Sequence, residues 1–160
     1  MAGADPSIDH PEEDDIMADI TRAQARTIVE TALATGRERG FKPLAIAVYD
    51  ARGALKAFEA EDGTSLKRGE IAMGKAFAAV ALGVPSRTIN AMALERPHFV
   101  GALGAVVGGP FVPVPGGVLV KASDGTLAGA VGISGDTSDN DEAAALAGIA
   151  AAGLEGVTGA

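Results

Sequence analysis

Apolar residues recur at helical spacing from Ala25 through Ile28, Val29, Ala32 and Leu33, which predicts a first helix from about Arg22 to Arg39. Thr21-Arg22-Ala23-Gln24 opens it as a capping box, and Gly36 and Gly40 weaken and end it. The period then changes. Leu44, Ile46 and Val48 alternate toward the polar Asp50, Ala51-Arg52-Gly53 turns the chain, and Ala54 to Ala60 pairs back as the second strand of a hairpin. Glu61-Asp62-Gly63-Thr64 leaves that strand as a loop. Ser65 is the expected cap of a second helix, whose face shows Ile71, Met73 or Gly74, Phe77, Ala78 and Leu82. Pro85 starts a third, about Ser86 to Leu94. Pro97 is expected to end it and leave His98 in a loop. The apolar, glycine-rich run from Val100 to Pro115 reads as a long, partly buried loop with an edge strand near Phe111 to Val114.

Gly116 to Leu154 carries the densest signal. Val118, Leu119 and Val120 form a short strand, Ser123-Asp124-Gly125 turns it, and Leu127, Ala130, Val131 and Ile133 return as its hairpin partner. Ser134-Gly135-Asp136 breaks the second strand. Thr137 or Ser138 then caps a helix with Asp139, Asp141 and Glu142 in its first turn, where carboxylates oppose the positive end of the helix dipole. Backbone N–H groups at such a strand-to-helix corner suit a carboxylate or phosphate, although a glycine corner serves equally well as a plain connection.

These residues carry a resemblance. Gly116-Gly117, Asp124-Gly125, Gly129 to Gly135, and Asp141-Glu142 with the alanine-rich tail through Ala152 resemble the C-terminal signature of the GlcG/HbpS-like family of haem-binding proteins, which includes the C-terminal domain of PduO-type proteins. Val48-Tyr49-Asp50 with Gly53, Glu61-Asp62-Gly63 and Gly74-Lys75-Ala76 follow the family's order upstream, so the resemblance spans roughly residues 21 to 154. It implies an α+β, profilin-like antiparallel sheet of about five strands with helices packed on its faces, and assembly into homo-oligomers. It also implies haem as a ligand and a link to the catabolism of small organic compounds such as glycolate and propanediol. The small residues Ala143 to Gly148 suit close subunit contact and suit packing on the chain's own sheet equally.

Composition sharpens this picture at four points. A chain of 160 residues is one ordinary domain, read as residues 20–156 behind an acidic, disordered tail at 1–19 that holds Pro6, Pro11 and His10. That tail lacks a basic region followed by an apolar run, and no uninterrupted apolar span of 18 residues follows. The chain is therefore read as cytoplasmic, with no membrane partner. A formal charge of −8 argues against nucleic acid, whose phosphates need clustered Lys and Arg. Zero cysteines and two histidines exclude a closed zinc site, and no metal site is expected. No dinucleotide fingerprint, P-loop, H-E-x-x-H or serine elbow is present.

Two groups of side chains invite chemistry. Lys75 lies among Ile71, Ala72, Met73, Gly74, Ala76 and Phe77. A lysine so placed holds an anion, works with a lowered pKa, or snorkels to water. His98 beside Glu95 is the candidate axial haem ligand or general base, with Glu95 or Asp62 as orienting carboxylate. The first helix, where the resemblance would put a haem-ligating histidine, has Ala32, Leu33, Ala34 and Thr35, so ligation passes to His98, Tyr49 or a methionine such as Met73. The first reading is thus a small-molecule or haem-binding protein whose anionic ligand is held by Lys75 and by the corner residues Gly132, Ser134, Gly135 and Asp136. The alternative is a cofactor-independent enzyme of lyase or isomerase type, with Lys75, His98, Glu95 and Asp62 moving protons on a small carboxylate or cyclic metabolite.

Overall fold

The computed structural model describes residues 19–159, so the acidic tail up to residue 18, His10 included, lies outside the described residues. Helix α1 (Arg22–Arg39) starts on the Thr21 capping box, in which Thr21 and Gln24 each accept the other's backbone N–H. It ends at Gly40, which takes the left-handed conformation. Strands β1 (Ala45–Asp50) and β2 (Leu55–Ala60) form the first hairpin, and β3 (Gly117–Lys121) and β4 (Leu127–Ser134) form the second. Between them run α2 (Arg68–Leu82), α3 (Ser86–Glu95) and α4 (Pro97–Val106); α5 (Ser138–Ala151) and β5 (Glu155–Val157) close the chain. Pairing of β1 with β4 joins the hairpins into one antiparallel sheet of order β2-β1-β4-β3-β5. The architecture is the expected α+β one, with helices on both faces.

Side-chain size decides which helix takes which face. Ile46, Val48, Val118, Val120, Val131 and Ile133 meet Ile28, Val29, Leu33 and Ile149 from α1 and α5. The opposite face is built from Ala45, Ala47, Tyr49, Leu119 and Ala130, and it receives Ala72, Ala76 and Ala79 of α2. Small residues on both sides bring α2 into backbone contact with the sheet. A Cβ at Gly132 would stand 2.0 Å from the Ala72 carbonyl oxygen, and one at Gly117 would stand 2.3 Å from that of Lys75. The small residues of α5 serve the chain's own core, since a Cβ at Gly148 would meet the Ile28 carbonyl of α1 at 2.5 Å.

Three local expectations are corrected. Helix α2 begins at Arg68 rather than after Ser65, and its capping residue Lys67 makes no side-chain capping hydrogen bond. His98 is helical, not in a loop. Arg96, held out of the helical region by the proline after it (φ −136°, ψ 66°), breaks the chain for one residue, and Pro97 then sits in the first turn of α4, where no N–H is needed. The stretch from Phe111 to Val114 is not a strand. It straps across α2 through the Val112 N–H to the Gly74 carbonyl at 3.2 Å, leaving the β3 edge to β5.

The β1–β2 turn depends on Asp50, which is 1% exposed. Its Oδ1 accepts from the Arg52 and Ala54 N–H groups at 3.0 Å each, and its Oδ2 accepts from the Arg52 guanidinium at 3.0 Å. Burial pushes the carboxyl up, but the Ala54 and Arg52 donors outweigh it and hold Asp50 below its ordinary value of 3.8. A lowered folded-state value contributes stability above the unfolded pKa and loses it as pH falls through the folded one. Stability measured from pH 6 downward should therefore fall below about pH 4, and Asp50→Asn should flatten that fall at a cost near 2 kcal/mol at neutral pH. An unchanged acid limb in the variant would exclude Asp50 as a contributor.

No single helix among the described residues is long and apolar enough to cross a membrane.

Candidate functional site

Lys75 lies in the middle of α2, on the side pressed against β3 and β4, and its side chain is 3% exposed. Its ammonium donates to the Ile133 carbonyl at 2.8 Å and to Asp141 Oδ2 at 3.1 Å. Asp141 Oδ1 accepts the Asp136 N–H at 2.9 Å. One buried ion pair thus ties α2, the end of β4 and the first turn of α5 together. Burial pushes the Lys75 ammonium below its ordinary value; Asp141 opposes this, and the positive charge of Arg68 adds to it. Where the sequence suggested a lysine reaching a ligand, the structure shows a lysine whose donors go to protein groups.

The glycine corner forms around this pair. Gly132 and Ser134 are buried in β4, and a Cβ at Gly135 would stand 2.1 Å from the Pro43 carbonyl oxygen, which leaves that position to glycine. The Asp136 carboxylate is occupied by local donors: the Lys42 N–H at 2.8 Å, the Thr137 N–H at 2.8 Å and the Asn140 amide at 2.6 Å. The Lys42 N–H foremost, then Asn140 and Thr137, holds its carboxyl below the ordinary carboxylate value. Thr137 caps α5 through the Asn140 N–H. Between Gly135 and the loop bearing Asp62 lies a cleft of about 200 Å³ lined by Lys42, Pro43, Gly63, Thr64, Ser65 and Arg68. Arg68, at the start of α2, donates to Ser134 Oγ at 3.2 Å. Lys42 and Arg68 were not singled out from sequence, because each sits in a polar segment that reads as ordinary surface.

His98 and Glu95 stand elsewhere, both exposed at the α3–α4 corner. Helix α4 packs mainly on α3, with Val100 joining Ala78 of α2 and Ile89 in one small cluster, and the exposed pair at the corner is not brought to the buried Lys75. Asp62 is exposed on its loop. The apolar residues Ala93, Pro97, Val100, Gly101, Gly104 and Phe111 line a groove of about 550 Å³, and His98 follows Pro97 in the chain without itself lining it. The Arg96 guanidinium stacks on the Phe99 ring at 4.2 Å. The other donors considered for haem are less open. Tyr49 is 6% exposed and packs edge-on against Phe77 at 5.8 Å, with burial pushing its phenol up, and Met73 is half-buried on α2 against the same cluster. Among the described residues no cluster of side chains suits a metal ion.

A two-hairpin antiparallel sheet with α1 and α5 on one face and α2 on the other defines the class of domain. The family model described as "Haem degrading protein HbpS-like" matches residues 20–150. The chain belongs to the HbpS-like family. Solved structures agree in fold. The PduOC:heme complex aligns with TM-score 0.75 at 23% identity, covering 85% of this chain and 96% of that one. HbpS aligns with TM-score 0.72 at 24% identity, covering 94% and 97%. The Klebsiella pneumoniae protein ORFY aligns with TM-score 0.74 at 21% identity, covering 84% and 90%. No curated protein matches the chain.

Proposed function

We propose that this chain is a small-molecule-binding protein whose ligand is haem, held at the α3–α4 groove with His98 as axial ligand. The observation that carries this reading is an exposed imidazole flanked by two residues, Pro97 and Val100, that line the apolar groove. A porphyrin is a flat apolar plate with an iron that takes imidazole and two carboxylates at its edge. Gly101 and Gly104 keep the groove wall low, and Arg96, one turn away from Val100, offers a guanidinium for a propionate. Tyr49 and Met73 fit less well, since a haem at either would have to part α2 from its packing. Membership of the HbpS-like family and the likeness to a haem complex support the same ligand.

Leu94 and Val106 are 81% and 76% exposed on the two helices that bear the groove, and in this reading a second copy of the chain covers them in a homo-oligomer. The link to small organic compounds rests on the family resemblance. The enzyme reading requires Lys75 beside His98, Glu95 or Asp62, and no observation favours it.

Haemin titrated into the purified protein should give a saturable Soret band at one haem per chain. His98→Ala should weaken binding by at least about tenfold, more than loss of an outer partner of a metal ligand commonly does at the low end. Non-saturating absorbance, or equal affinity in the variant, would remove haem at His98.

A further inference from the structure

From the unbalanced charge around the Gly135 corner, we infer a second binding site in the cleft between Gly135 and the Gly63–Ser65 loop, built for a small carboxylate anion by Arg68 and Lys42. It is separate from the α3–α4 groove and does not depend on what binds there.

Positive charge is left over at this cleft in a protein that is acidic as a whole. Six of the thirteen Lys and Arg residues pair with a carboxylate: Arg26, Arg37, Arg52, Lys67, Lys75 and Arg87. Arg68, partly buried, is not among them. Its guanidinium is half-buried on the cleft wall, and its hydrogen-bond partner is the neutral Ser134 hydroxyl at 3.2 Å, which uses one of five N–H donors. Four of the carboxylates nearby are already engaged, and Asp62 stays exposed on its loop. Asp141 is bound to Lys75 and the Asp136 N–H. Glu61 accepts the Leu44 N–H at 2.9 Å and faces Arg37 at 3.6 Å. Asp136 takes the three donors given above and feels the charge of Lys42, so Lys42 is partly balanced while Arg68 is not. Glu70 pairs with Lys67 at 3.1 Å. Arg68 also stands close enough to Lys75 to disfavour its charge.

An anion in the cleft answers each of these features. The free edge of a guanidinium is a fork that matches a carboxylate in two parallel hydrogen bonds, and Lys42 adds a point charge to the same lining. Thr64 and Ser65 are hydroxyl-bearing residues of the same lining. A volume of about 200 Å³ is below the roughly 300–1,000 Å³ of sites for drug-sized ligands, which favours a molecule of a few carbon atoms over a nucleotide or porphyrin.

The test is an amide-resolved NMR titration of the whole chain with oxalate, with sodium chloride matched for ionic strength. Saturable shifts at the Gly63, Ser65, Arg68 and Gly135 amides are expected. Arg68→Gln, which keeps a donor for Ser134, should lower the affinity about tenfold or more, as loss of a charge-assisted bond does. Lys42→Gln, at an exposed position, should lower it severalfold, and Lys121→Gln on β3 should leave it unchanged. Absence of saturable shifts at these amides overturns the inference. So does an affinity that falls equally in Lys121→Gln, the sign of unspecific attraction. If Arg68→Gln fails to fold, an unchanged affinity in Lys42→Gln overturns it by itself.

Discussion

Lys75→Met is expected to destabilise the protein by about 3–5 kcal/mol, the cost of stranding one member of a buried ion pair. Methionine replaces much of the lysine stem, so the loss reports the ammonium. Asp141 would remain buried with one donor, the Asp136 N–H, and the Ile133 carbonyl would lose the Lys75 Nζ. Removing the stranded charge as well should recover part of the loss: Lys75→Met/Asp141→Asn should be more stable than Lys75→Met, because asparagine still accepts the Asp136 N–H and carries no charge. Urea unfolding of the four proteins followed by circular dichroism gives the cycle. A single-variant loss below about 1 kcal/mol would show that the pair does not hold the corner together, and would return Lys75 to the candidates for ligand contact.

Gly132→Ala should cost about 3 kcal/mol for a different reason. The new methyl would meet the Ala72 carbonyl oxygen at 2.0 Å and the Ala76 nitrogen at 2.8 Å, both backbone atoms of α2. A flexible side chain could swing aside; here the helix itself must lift, and Lys75 with it. Gly101→Ala is the matching control, since a Cβ on that helical residue meets nothing within 4 Å and should raise stability by up to about 1 kcal/mol. Thermal unfolding of the two variants should thus shift in opposite directions. A neutral Gly132→Ala would mean that α2 is not seated on the sheet as closely as described.

The sheet could be read from the chain because its cues are local. Asp50 to Gly53 and Ser123 to Gly125 mark their turns within a few residues, and the helical spacing of Ala25 to Leu33 fixes α1 along its whole length. Alternation was less informative in β1, whose residues are buried on both faces, so that Ala45 and Ala47 count as core as much as Ile46 and Val48 do. Pro97 carried two opposite local meanings, a helix stop and a first-turn residue, and only the packing of α4 on α3 separates them. The candidate site was harder still. Lys75 and Asp141 are 66 residues apart, and nothing in the alanine-rich segment around Lys75 tells an ammonium that meets a carboxylate from one that meets a ligand. Arg68 meets Ser134 across the same separation, which is why the cation on the cleft wall went unnoticed while the glycine corner beside it did not. His98 and Glu95 were legible as neighbours, but their distance from Lys75 is a property of how α3 and α4 leave the sheet.

The proposed haem site depends on His98 as its axial ligand at the α3–α4 groove. Its most direct test is the optical and electron paramagnetic resonance spectrum of the ferric haem-loaded protein beside that of His98→Gly, with and without added imidazole. The variant is expected to lose the wild-type signature, and free imidazole to restore it by occupying the vacated position. A signature that survives the substitution unchanged would contradict this ligation.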